Sequence, residues 1–161
     1  MSKNMTENQP LNAAYDHTGF VTQDIEASAS FWCRAFGLTA TDPIERGAPW
    51  VEGMTGVIGA RLRIMHLTAP GIHLEFISFL APKGGDKPPE ATALATGHVC
   101  LRVPDPAAAL ERLFALGGQP EGRVTEITEG GLAGRHGVYL RDPGGVLIEL
   151  LEDPSLTEIS G

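Results

Sequence analysis

Hydrophobic and polar residues alternate in short runs along most of the chain and shift to helical spacing twice, each time just after an aspartate. Between Tyr15 and Thr22 the alternation sets Asp16, Thr18 and Phe20 on one side and His17, Gly19 and Val21 on the other, the period of a strand. Asp24 then caps a run in which Ile25, Ala29, Trp32 and Phe36 fall on one helical face, and Gly37 stands where a helix closes. Residues 41–56 hold Pro, Gly, Trp50 and Met54 with little periodicity, which predicts a loop or mobile flap. Ala60 to Thr68 and Ile72 to Leu80 predict two strands joined by the turn Ala69-Pro70-Gly71.

After a Pro- and Gly-rich stretch the pattern begins again. His98 to Val103 predicts a strand. Asp105, with Pro106 at the first helical position, opens a helix lined by Ala109, Leu110, Leu113 and Phe114 and stopped by Gly117-Gly118. Val124 to Thr128, Gly137 to Arg141 and Val146 to Leu151 predict the remaining strands. The recurrence is metric: His17 and His98, Asp24 and Asp105, and Gly37 and Gly118 are each 81 residues apart. An internal repeat of this kind sets the fold class. It is α+β: two β-α-β-β-β modules forming one curved mixed sheet, with helices on the outer face. The divisions are a flexible leader over 1–14, a first module over 15–81, a linker over 82–97, a second module over 98–152 and a tail over 153–161.

Composition narrows the partners. With 161 residues, 42% hydrophobic and 20% charged, the chain has the make-up of a folded domain. A formal charge of −8 argues against nucleic acid and anionic membranes as main partners. No apolar run approaches the ~20 residues that span a bilayer, and the polar N-terminus has no secretory pattern. The two cysteines, Cys33 and Cys100, make no disulfide framework. These features predict a reduced, cytoplasmic protein acting on a small molecule.

The last strand raises the chemical question. Val146-Leu147-Ile148-Glu149-Leu150-Leu151 is apolar except for Glu149, and it is entered through the turn Asp142-Pro143-Gly144-Gly145. A carboxylate in such a strand is costly unless it is paired or binds a metal. The repeat gives Glu149 a counterpart in Glu75, and strand parity puts Glu75, His98 and Glu149 on the faces opposite the apolar ones. If a pseudo-twofold axis relates the modules, His17, Glu75, His98 and Glu149 converge on one divalent ion, with Zn, Ni, Co, Fe or Mn suited to that donor set. His73 shares the face of Glu75, a place for substrate contact. Trp50 is either a lid over an apolar substrate or a packing residue, and Arg102 is a basic candidate for binding substrate. His66 and His136 read as incidental, and the Cys100 thiol as facing the cavity but inert.

The segments Tyr15-Asp16-His17-Thr18-Gly19, Asp24 through Phe36-Gly37-Leu38, His73-Leu74-Glu75-Phe76, Gly97-His98-Val99 and Val138 through Leu150 together resemble the vicinal oxygen chelate superfamily. That group includes glyoxalase I, methylmalonyl-CoA epimerase, extradiol dioxygenases and fosfomycin-resistance proteins. The resemblance places His17, Glu75, His98 and Glu149 at its four metal positions. A Glu at the second, as in glyoxalase I, turns the expectation toward glyoxalase-like lyases and isomerases. It implies proton transfer next to a metal-bound carbonyl through an enolate, with Glu149 and Glu75 as the catalytic pair, and a homodimer acting on a small carbonyl or vicinal-oxygen compound. Two alternatives stand beside it: an Fe(II) extradiol-type dioxygenase using His17, His98 and Glu149, and a metal-free small-molecule binding or resistance protein.

Overall fold

The computed structural model describes residues 10–156; the first nine residues of the expected leader and the last five of the tail lie outside them. Strand β1 (Thr18–Val21) leads to helix α1 (Ile25–Phe36), then β2 (Thr39–Ala40), β3 (Ile44–Gly47), helix α2 (Pro49–Thr55), β4 (Arg61–Ala69) and β5 (Ile72–Ala81). The second half runs β6 (His98–Val103), α3 (Pro106–Ala115), β7 (Gln119–Pro120), β8 (Thr125–Glu126), a short 3-10 turn (Gly130–Leu132), β9 (His136–Arg141) and β10 (Leu147–Glu152). The α+β class and the two similar modules are as the repeat implies. Hydrogen bonding closes within each module, giving two sheets of five strands. The first has the order β1-β5-β4-β2 with β3 also on β4, and the second β6-β10-β9-β7 with β8 also on β9. In both, the first strand pairs in parallel with the last and the others are antiparallel.

Local chemistry explains the helix limits. Asp24 Oδ1 accepts the Ala27 amide at 2.9 Å, and Gly37, at φ 71°, returns its own amide to the Cys33 carbonyl. Asp105 Oδ1 accepts two amides, from Ala107 at 2.8 Å and Ala108 at 3.2 Å, so both helices start at the expected aspartates.

The expected flap over 41–56 is ordered instead as β3 and α2. Ile44 pairs with Ile64 and Glu45 with Arg63, while Pro49 begins a helix that Gly56 ends at φ 71°. Val51 on that helix is fully buried and packs with Ala60 and Leu62 in a small second core. A four-residue strand and a two-turn helix are too short to show a period in the sequence.

The main core draws on both modules. Ile25, Phe31 and Trp32 of α1 and Leu67, Leu74 and Phe76 of the first sheet share one apolar cluster with Leu113 of α3 and Val138, Leu140, Ile148 and Leu150 of the second sheet. A buried polar clasp runs through it. Trp32 Nε1 donates to Asp142 Oδ2 at 3.0 Å, and the other carboxylate oxygen accepts the Gly144 and Val146 amides at 2.9 and 2.8 Å. The Thr22 hydroxyl and the Gln23 amide donate to the Gly144 carbonyl at 3.0 and 3.1 Å. The turn that opens β10 thus ties the end of β1 and α1 to the second module. Only a glycine fits at its centre, because a Cβ on Gly144 would run into the Thr22 and Ser28 side-chain oxygens. Gly144→Ala is expected to lower stability by about 1–3 kcal/mol, read as a lower urea midpoint at unchanged slope.

Candidate metal centre

The apolar face of each sheet is spent on the core, so the opposite face carries the chemistry. In β5, Leu74 and Phe76 are buried, and Glu75 between them points away. In β10, Ile148 and Leu150 are fully buried and Glu149 points away. Each carboxylate meets the histidine of its own module's first strand region, His17 just before β1 and His98 at the start of β6. His17 Nε2 lies 3.1 Å from Glu75 Oε2, and His98 Nε2 lies 2.9 Å from Glu149 Oε2.

Strand register makes the two arrangements equivalent. Glu75 faces Gly19 across the parallel pair and His66 across the antiparallel pair. Glu149 faces Cys100 and Tyr139 in the same way. Gly19 and Cys100 are the repeat mates 81 residues apart, and they differ in what they place beside the carboxylate. A Cβ at Gly19 would sit 3.2 Å from Glu75 Oε2, so the carboxylate lies over a bare backbone. Where Cys100 takes that place, its thiol sits beside Glu149, and burial together with that carboxylate pushes its pKa up to about 11. It is a protonated thiol at neutral pH.

The surroundings orient the donors. The Asp16 carboxylate bonds His17 Nδ1, which holds the ring with Nε2 turned toward Glu75. That bond raises the His17 pKa above its usual value and lowers that of Asp16. In the second module the Tyr139 hydroxyl stands 3.5 Å from His98 Nε2, and burial, with Glu149 nearby, raises the phenol's pKa.

Two ligand atoms about 2.0–2.2 Å from one ion, at tetrahedral or octahedral angles, lie about 2.9–3.5 Å apart. Both His–Glu separations fall in that range, and two neutral imidazoles with two carboxylates suit a borderline divalent cation. The four residues therefore fit the group, but as two halves. Among the described residues no set of three or more His, Cys, Asp or Glu side chains surrounds one point. The two larger clefts, about 810 and 700 Å³, are lined by none of the four. A smaller one of about 360 Å³ between β1 and the start of β6 touches His98 but neither His17 nor Glu75.

The remaining candidates divide. His73 joins the first half-site: its Nδ1 donates to the Asp16 carbonyl at 3.0 Å, and its ring lies 5.5 Å from that of His17. Arg102 shares the His98 face of β6 but reaches out to Asp153 at 3.5 Å. Trp50 lies on α2, more than half exposed, and among the described residues it is not part of either half-site. His136 binds Glu152 through ring and backbone, both at 2.7 Å, away from the four. His66, which the sequence marked as incidental, lies opposite Glu75 and contacts it. The turn Ala69-Pro70-Gly71-Ile72 carried the missing signal. A two-residue hairpin loop that pairs Ala69 with Ile72 also pairs His66 with Glu75. Tyr139 was missed in the same way, across the longer turn that pairs Arg141 with Leu147.

Comparison with known proteins identifies the fold and the family. A 2-epi-5-epi-valiolone epimerase from Actinomyces sp is 28% identical over 155 residues, covering 91% of this chain and 82% of the relative. The crystal structure of a glyoxalase family protein from Bacillus cereus superposes with a TM-score of 0.71 at 24% identity, covering 92% of this chain and 97% of that one. A glyoxalase family protein from Enterococcus faecalis does so with a TM-score of 0.59 at 18% identity, covering 86% and 97%. The sequence profile of one family spans residues 14–150, both half-sites included. The chain belongs to the glyoxalase/bleomycin resistance protein/dioxygenase superfamily.

Proposed function

We propose that the protein is a divalent-metal-dependent isomerase or lyase that moves a proton at a carbon next to a carbonyl. In this reading it works as a homodimer, each site taking one His–Glu pair from each copy. The observation that carries it is the pair of register-matched His–Glu contacts, 3.1 and 2.9 Å, on the sheet faces turned away from the core. The isomerase side is supported by the relative named as an epimerase. The two-copy site is supported by the separation of the pairs within one chain and by the sheet edges, because among the described residues β1 and β6 each have a neighbour on one side only. Unpaired edges invite pairing with another chain, and each of these two lies next to a half-site.

Within such a site the chain's own groups divide the work. A bound divalent ion supplies Lewis-acid stabilisation of negative charge on a substrate oxygen. His17 and His98 hold the centre through Nε2, with Asp16 fixing the first of them. Glu75 and Glu149 approach from opposite modules, so one takes the proton from carbon and the other returns it. Gly19 keeps the space above Glu75 Oε2 clear. The substrate class is a small carbonyl or vicinal-oxygen compound.

Solvent exchange tests the reaction. Metal-loaded protein in deuterium oxide, given 2-epi-5-epi-valiolone as the first probe and then a series of small hydroxyketones, is expected to place deuterium on the carbon beside a carbonyl. Oxygen consumption with Fe(II) and no exchange on any of them would replace this reading with the dioxygenase one.

A further inference from the structure

Register places a second row of side chains beside Glu75 on the open face of the first sheet. Val21 on β1 pairs with Ile77 on β5, Ile77 with Ile64 on β4, and Ile64 with Ile44 on β3. Paired residues share a face, and so do residues two apart along a strand. Four β-branched aliphatic side chains therefore lie in line across four strands, about 7 Å from the row that holds Glu75. The core does not use them. On these strands it takes the opposite parity, with Met65, Leu67, Leu74 and Phe76.

Burial falls off along this face toward the carboxylate. One row further on, Leu62 pairs with Phe79, and helix α2 roofs them: Leu62 is 5% exposed and packs with Val51. Ile64 and Ile77 lie half-buried at the margin of that small core, while Val21 and Ile44 are 65% and 41% exposed. The inner end of the row reaches the chemistry. The place that a Cβ on Gly19 would take lies 3.2 Å from Glu75 Oε2 and 3.8 Å from Ile77 Cδ1, so a molecule seated over Gly19 touches both.

The second module breaks the pattern. The repeat mate of Val21 is Arg102, which stands beside Leu151; Leu151 stands beside Gly137, and Gly137 beside Thr125. The two halves are alike in their His–Glu pairs and unlike in this row, as a substrate with two unlike ends requires. As a protein-docking surface the row is too small: four side chains, two of them half-buried, offer far less than the roughly 800 Å² per partner of a stable interface.

We infer that Val21, Ile77, Ile64 and Ile44 bind the hydrocarbon part of the substrate while its carbonyl lies at Glu75. The inference rests on the proton-transfer reading above and adds the part of the substrate that does not react. The substrate class narrows to carbonyl compounds with a hydrocarbon arm reaching about 7 Å from the reacting carbon. Ile77, next to the carboxylate, is the specificity-determining residue. Contacts of this kind hold substrate and transition state alike, so they act on KM more than on kcat.

Methyl NMR on the isoleucine Cδ1 groups tests this without turnover. The protein is titrated in the presence of zinc with hydroxyacetone, 1-hydroxybutan-2-one and 1-hydroxyhexan-2-one. Each added methylene should tighten binding by about 2–4-fold. The Ile77 and Ile64 signals should move, and that of the fully buried Ile148 should stay in place. Val21→Thr combined with Ile77→Thr keeps the branch at Cβ and removes apolar surface, so it should flatten the length series. Ile58→Thr, at a side chain 85% exposed in the loop after α2, should leave the series unchanged. Equal affinity for short and long ketones in wild type, or a series that survives in the double variant, would overturn the inference. Deuterium exchange on hydroxyacetone would in that case still uphold the isomerase reading. A length series with no exchange on any ketone would keep the hydrocarbon site and remove that reading. Ile64 and Ile77 methyls that no ketone moves, shielded from a soluble relaxation agent in the dimer and reached by it on dilution, would assign the row to a second copy instead.

Discussion

Mixing two inactive variants is expected to restore activity. Glu75→Gln and Glu149→Gln each keep the shape of the side chain and remove its basicity, so each alone should lose about 10²–10⁴-fold in turnover. In a dimer whose sites pair the first module of one copy with the second module of the other, the mixed dimer has one site carrying both lesions and one carrying neither. Random exchange of subunits makes about half of the dimers mixed, so the mixture should recover about a quarter of wild-type activity. If each chain instead built its own site, every site in the mixture would carry a lesion and nothing would be recovered. The assay is turnover of the mixture after subunit exchange, against the two variants alone. The separation of His17–Glu75 from His98–Glu149 in the chain makes this outcome more than a formality.

The largest stability effect is expected at Asp142, which is fully buried at the junction of the modules. Asp142→Ala leaves the Trp32 indole N–H and the Gly144 and Val146 amides without their acceptor. Each unsatisfied buried donor costs about 1–3 kcal/mol, and relief from burying a carboxylate returns part of it, for a net loss of about 3–5 kcal/mol. Thermal or urea unfolding reads this directly. The pH dependence has a definite sign. Burial, against the bonds from Val146, Ser28, Trp32 and Gly144, holds the Asp142 carboxyl above its ordinary 3.8. The folded state therefore binds that proton more tightly than the unfolded chain does. The group's contribution is complete below the unfolded value and is lost as pH rises through the raised folded value. Asp142→Asn does not titrate and lacks this slope. The stability advantage of wild type over Asp142→Asn should therefore shrink as pH rises above the ordinary carboxyl value of 3.8 and through the raised folded value.

Much of the fold was legible because the two modules share a punctuation of capping aspartates and closing glycines. Asp24, Asp105 and Gly37 act at the positions their types suggest. The alternation in β5, β6 and β10 also told which face carries Glu75, His98 and Glu149. The sequence hid whatever depends on length or on assembly. β3 and α2 are too short to repeat a period, so the segment holding Trp50 looked irregular. His66 and Tyr139 reach the half-sites through antiparallel register, which a turn sets and no single strand displays. Parity says which side of a strand a residue takes but not which module will face it, so four residues that seemed bound for one point lie in two pairs.

The most direct measurement is the metal content of the protein prepared without chelator and reloaded with zinc, nickel, cobalt, iron or manganese ions, taken with its mass in solution. A dimer with two shared sites should hold about one ion per chain, and Glu75→Gln combined with His98→Asn should empty it. A wild-type protein that takes up none of these ions, with both His–Glu pairs intact and the chain folded, would contradict the shared metal centre.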